Sequence, residues 1–253
     1  MNQLTTWLLV FLRASAMLSI FPIFSTVNFP VQLRVALGAL LSALVSVTLP
    51  PTELPPDMLG LVGLMAMEIG AGLLIGFASR MVFYAVEIGA SIIGIEIGLS
   101  MPTGVLPGMD HPSNATGDLM YYLAAMIWLS LDMHHWMILA FQKTYAFLPI
   151  GSAHLIAKPL MGEILAQTSN IFIVALQLAA PQMAVAFIIL LIFSTLGRAI
   201  PQMNVFRESL SVRPLIGLSV FGLTMQLTSQ HIINYMRHLP NDMLRVAQLL
   251  RAG

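Results

Sequence analysis

Seven ionisable side chains fall within or at the edge of strongly apolar runs: Arg13, Arg34, Glu68, Arg80, Glu87, Glu96 and Asp132. On insertion scales an Arg or Asp at the centre of a membrane helix costs about 2.5–3.5 kcal/mol, so each must face protein, water or another charge. Two kinds of chemistry are open to them. One is the relay of a proton or cation through a membrane; the other is ion pairing that fastens helices to neighbours in this chain or in partner subunits. Glu-Ile-Gly recurs at 68–70, 87–89 and 96–98. Glu87 and Glu96 are nine residues apart, and at about 100° per residue they point to opposite sides of an ideal helix. A single path through both would need a bend at Gly89 or Gly94. Acids and bases inside the runs nearly balance, which favours ion pairs.

Other chemistry has little material. Asp132-Met133-His134-His135 is the nearest thing to a metal motif, but adjacent helical histidines point about 100° apart, unlike an i, i+4 pair. No His-Glu-x-x-His and no Gly-x-Ser-x-Gly occurs, and Cys is 0. The expectation is therefore no catalytic residue, no metal and no cofactor. A formal net charge of zero gives no electrostatic footprint for nucleic acid.

The elements that must position these charges are legible from composition. Apolar residues make up 58% of the 253, charged residues 9%, and mean hydropathy is +0.87, whereas soluble domains carry about 25% charged residues. So few charges cannot cover a water-facing surface. The expected fold is all-α, a polytopic membrane-type protein forming a single domain over 1–253. Ala14-Ser15-Ala16 follows an apolar run, but no Lys or Arg precedes that run and Arg13 lies inside it. Residues 4–24 therefore read as a retained first span rather than a signal peptide. Further spans are expected at 34–50, 58–79, 81–99, 119–141, 163–196 and 214–234, and 241–253 as a short, exposed amphipathic tail.

The sixth run holds about 34 residues, or roughly 51 Å of helix against a hydrocarbon core of about 30 Å. Pro181 near its middle predicts either a hairpin or one kinked helix that protrudes. Lys and Arg placement fits no simple threading: Arg198, Arg207 and Arg213 clash with the side assigned by Arg34, Arg80, Lys143 and Lys158. Some hairpins are thus expected to stop short of crossing. Gly72 with Gly76, and Gly94 with Gly98, form Gly-x-x-x-Gly pairs that suit close helix contacts. Most of the 18 methionines, Met65, Met67, Met183 and Met225 among them, sit where ordinary core packing accounts for them.

One loop is anomalous. Residues 100–118, SMPTGVLPGMDHPSNATGD, contain three prolines, three glycines, two methionines and no Lys or Arg. A helix–helix connection normally needs about 2–8 residues.

Several stretches in order resemble the FliR family of flagellar export-gate subunits, whose injectisome relatives are the SpaR/SctT proteins. They are Arg13 with Phe21-Pro22-Ile23-Phe24 and Pro30…Arg34, then Gly94…Glu96-Ile97-Gly98-Leu99-Ser100, similar to the family's Gly-x-Gln-x-Gly-Leu-Ser. His134-His135-Trp136 follows, with Met133 where the family has Gly, then Leu148-Pro149-Ile150-Gly151. Last is Arg198-Ala199-Ile200-Pro201-Gln202-Met203-Asn204-Val205-Phe206, similar to Arg-x-x-Pro-Gln-x-x-x-Phe, with Arg198, Pro201, Gln202 and Phe206 at the matching positions and Asn204 in the same family-motif loop.

The resemblance implies bent helical hairpins assembled with P and Q subunits (FliP, FliQ) into a right-handed helical hetero-oligomer. It also implies an FlhB-type switch subunit nearby, and a location in the bacterial inner membrane within the flagellar basal body. The cargo would be unfolded flagellar proteins. It implies a pore plug at 100–118, with Met101, Pro102, Val105, Leu106, Pro107, Met109 and Pro112 as its proline-broken, methionine-bearing seal. The alternatives are an injectisome gate subunit, a scaffold that lines no pore, and an ion-coupled secondary transporter. Little internal repetition speaks for the last.

Overall fold

A computed structural model of the chain describes residues 2–26, 29–52, 55–99, 115–155, 158–200 and 205–251. Regular structure among them is entirely helical: α1 (Asn2–Ile20), α2 (Val31–Ser46), α3 (Met58–Ile97), α4 (Ala115–Ser130), α5 (Met133–Phe147), α6 (Lys158–Ala199), α7 (Val205–Met236) and α8 (Leu239–Arg251). Gln3–Ile20, Met58–Ile97 and Pro159–Ala199 are each long and apolar enough to cross a membrane. The broken pair α4 and α5 would add a fourth span if taken as one.

The chain forms two compact units. The first gathers 1–82, 131–168 and 236–253; the second gathers 83–130 and 169–235. In the first, α1 packs on α2 and α5 on α8. Its helices α1 and α3 meet backbone to backbone. A Cβ on Gly72 would collide with the Arg13 carbonyl oxygen, and one on Gly76 would lie 2.7 Å from the Met17 carbonyl oxygen. The Gly72/Gly76 pair thus serves close packing, as its spacing predicted. In the second unit Ile93, Ile97 and Ala179 form a core joined by Ile92 and Phe221. There Gly89 admits α6 at Ala175, whose carbonyl oxygen would be 3.0 Å from an added Cβ. Tyr235 Oη donates to Gln177 Oε1 at 2.9 Å, tying α7 to α6.

Four expected boundaries change. The runs 58–79 and 81–99 are one 40-residue helix, because Arg80 is no helix breaker and nothing in that stretch removes a backbone donor. The sixth run passes through Pro181 as a single 42-residue helix, about 63 Å long, so the single-helix alternative holds and the hairpin does not. The span expected at 119–141 is broken before Met133, where Asp132 adopts φ 52. Of the anomalous loop, 115–118 already belong to α4. Residues 100–114, with Met101, Pro102, Val105, Leu106, Pro107, Met109 and Pro112, lie outside the described residues.

The tail is docked, not exposed. Leu239, Met243, Val246, Ala247 and Leu250 are all buried, since their spacing lines up one apolar stripe that α5 covers. The His154 amide donates to the Leu250 carbonyl at 2.8 Å, and Arg245 Nη2 meets Glu163 Oε2 at 2.9 Å. Burial pushes the Asp242 carboxyl above its ordinary range; His238 pulls it down, Glu163 pushes it up and Arg245 pulls it down. A carboxyl whose pKa is raised by folding stabilises the fold below the unfolded carboxylate range, and that contribution is lost as pH rises through the raised value. Asp242→Asn is therefore expected to hold α8 more tightly than the parent at pH 7, with the difference vanishing toward pH 4. Thermal unfolding of both proteins in detergent, followed from pH 7 to pH 4, measures it.

Candidate functional site: a buried arginine–glutamate lock

Arg13 and Glu68 are both fully buried. Arg13 sits in the middle of α1, and Glu68 faces it from α3 one turn before Gly72. The pairing is bidentate: Arg13 Nε donates to Glu68 Oε2 at 2.7 Å, and Nη2 to Oε1 at 3.0 Å. Two parallel charge-assisted bonds are the strongest form of this contact and match the guanidinium fork, which lysine cannot reproduce.

A third element closes the site. Arg13 Nη1 donates to the Leu148 carbonyl at 3.0 Å, and the Gly151 amide donates to Glu68 Oε1 at 2.9 Å. The turn Leu148-Pro149-Ile150-Gly151 thus offers one acceptor to the cation and one donor to the anion. Gly151 reaches that position with φ +77, and a Cβ there would sit 3.1 Å from Leu64 Cδ1. Glycine suits the left-handed backbone this turn needs. From α5, the Tyr145 ring lies 4.2 Å from Arg13 Cζ, a cation–π contact. Sequence reasoning did not single out Tyr145; the only hint was an aromatic three residues before the turn.

Both ends of this charge pair are spoken for, and the pair is fully buried. Its chemistry is that of a clasp: it fixes α1, α3 and the 148–151 turn to one another. Glu68 accepts three hydrogen bonds, which leaves it poorly placed to cycle a proton or cation.

The other expected residues do not converge on this site. Arg80 Nη1 donates to Ser25 Oγ at 2.7 Å and lies 3.4 Å from the Ile20 carbonyl oxygen, holding the end of α1. Arg34 is half-buried on α2, and its Nε has no hydrogen-bond partner among the described residues. Glu87 and Glu96 are half-buried in the second unit. Arg198 is exposed at the end of α6. Phe206 lies in the first turn of α7, while Pro201, Gln202 and Asn204 fall outside the described residues. Asp132 is exposed, and His134 and His135 lie beside it. The expected divergence of the two histidines is not what the structure has: their ring centroids are 4.0 Å apart.

The sequence signature of the bacterial export proteins, family 1, matches residues 4–239. The chain is 26% identical to the flagellar biosynthetic protein FliR of Escherichia coli (strain K12), over 98% of each chain. It is 28% identical to the protein of that name from Bacillus subtilis (strain 168), over 82% of this chain and 81% of the relative. Yop proteins translocation protein T of Yersinia pestis is 27% identical over 63% of this chain and 62% of its own length.

Proposed function

This chain belongs to the bacterial export proteins, family 1, and from that premise we propose that it is a subunit of the flagellar type III protein export gate. It contributes to a closed channel in the inner membrane of the basal body, through which unfolded flagellar proteins pass. Its partners in this reading are P-type and Q-type subunits and a switch subunit, and it performs no catalysis. The two flagellar relatives align over 98% and 82% of the chain, whereas the injectisome relative aligns over 63% of it, which favours the flagellar system.

One structural observation carries the reading beyond family membership. Helix α6, about twice the thickness of a hydrocarbon core, leaves Met161, Leu165, Ile173, Phe187, Ile192 and Leu196 exposed along its length. On α2, Val31, Leu33, Val35, Leu40 and Leu44 are likewise uncovered. Exposed apolar area on this scale marks contact with lipid or protein. A helix too long for lipid alone needs neighbouring subunits over the remainder. The plug role for Met101, Pro102, Val105, Leu106, Pro107, Met109 and Pro112 is part of this proposal and rests on sequence alone.

Extraction from membranes in mild detergent tests it. The chain should elute with two further kinds of small apolar membrane protein in a stoichiometric particle. Recovery as a stable monomer would count against the proposal. Deletion of residues 103–115 should make the membrane leak small ions; a tight membrane with normal export would remove the plug while leaving the gate subunit standing.

A further inference from the structure

We propose that Asp132, His134 and His135 form a three-donor site for a divalent transition-metal ion of the zinc class, at the break that opens α5. One ligand atom of each residue lies within 4.8 Å of the other two. Asp132 Oδ1 is 3.7 Å from His135 Nδ1 and 4.0 Å from His134 Nε2. In a tetrahedral zinc site with bonds of about 2.0–2.2 Å, neighbouring donors stand about 3.4 Å apart. Asp132 and His135 are well exposed, so small side-chain rotations close the set without moving the backbone.

The backbone at the break is unusual. Asp132 has φ 52, the only positive φ at a non-glycine position among the described residues. It occupies the N-cap of α5, where aspartate normally accepts a hydrogen bond from an amide of the first turn, yet its side chain makes no capping bond. Aspartate tolerates this left-handed backbone better than most residues, and here it leaves the carboxylate uncommitted to the helix start. The carboxylate is turned instead toward two imidazoles.

Ligand chemistry narrows the occupant. Two imidazole nitrogens and one carboxylate suit zinc, copper or nickel, whereas calcium and magnesium want an oxygen-rich shell. The positive end of α5 disfavours a cation, and the Asp132 charge offsets it. Three protein donors leave a fourth position for water. Bound there, the ion would staple the break residue to the first turn of α5, holding the left-handed kink. The argument from diverging Cβ directions fails here because imidazole rings reach several ångströms beyond Cβ, and because the third donor comes from the break rather than from the helix.

The untagged full chain, purified in detergent and stripped with EDTA, would be titrated with zinc chloride in a calorimeter. One equivalent should bind saturably, and Asp132→Asn and His135→Ala should each weaken it at least tenfold. Far-UV circular dichroism in EDTA should be unchanged in both variants, since both side chains are exposed. X-ray absorption at the zinc edge should report two imidazole ligands. No saturable binding, or parental affinity in either variant, would overturn the site.

Discussion

Replacing Glu68 with alanine is expected to destabilise the first unit by about 3–5 kcal/mol, the range measured when one partner of a buried ion pair is removed. The charge left behind is the reason. Arg13 stays fully buried with two of its three hydrogen bonds gone, and the Gly151 amide loses its acceptor as well. An orphaned buried donor alone costs about 1–3 kcal/mol. Against a total domain stability of about 5–15 kcal/mol, the loss should show as a large fall in the amount of chain held in the membrane. Arg13→Lys should be damaging too, because an ammonium cannot serve both carboxylate oxygens and the Leu148 carbonyl in the guanidinium geometry. The decisive comparison is a double-mutant cycle. Arg13→Leu with Glu68→Leu removes both charges and should be less destabilised than either single change. Thermal unfolding in detergent measures all four proteins. Additive losses would mean the two side chains do not act as a pair, and the clasp would have to be abandoned.

Gly72→Ala should also be damaging although it adds one methyl group. The new Cβ would collide with the Arg13 carbonyl oxygen, so α1 must move away from α3 rather than a side chain rotating aside. Overpacking of this kind costs about 1–3 kcal/mol. The displacement also falls on the residue that Glu68 grips one helical turn earlier, so the effects of Gly72→Ala and Glu68→Ala should be strongly non-additive. Gly162 is the control. An added Cβ there meets nothing within 4 Å, and Gly162→Ala within α6 should gain about 0.4–1 kcal/mol from helix propensity and a less disordered unfolded chain. Melting temperatures that fall equally for Gly72→Ala and Gly162→Ala would refute the close crossing of α1 and α3.

The Leu-Pro-x-Gly turn illustrates how far sequence reading reaches. As letters, Leu148-Pro149-Ile150-Gly151 carried only a likeness. In the fold its carbonyl and amide complete the Arg13–Glu68 pair, a role of backbone atoms that side-chain identity cannot announce, save for the glycine. The tail shows the opposite case. Its amphipathic character is visible in the sequence of 241–253, but the expectation that it stays exposed is wrong, because spacing cannot show that α5 covers the stripe. Asp132 is a third case, because a left-handed backbone at an aspartate leaves no mark in hydrophobic periodicity.

By itself the amino-acid order determined the solvent and the class of secondary structure: too few charges for a water-facing surface, and apolar runs long enough only for helices. It also determined that Arg13 and Glu68 could not remain alone, because the cost of an unpaired charge in an apolar setting is a local property. Tertiary structure alone decided which acid met which base across 55 residues of chain, that α3 and α6 run unbroken past Arg80 and Pro181, and that α8 docks. Helical periodicity names the face a side chain occupies. Which other face arrives there depends on how all the helices pack at once.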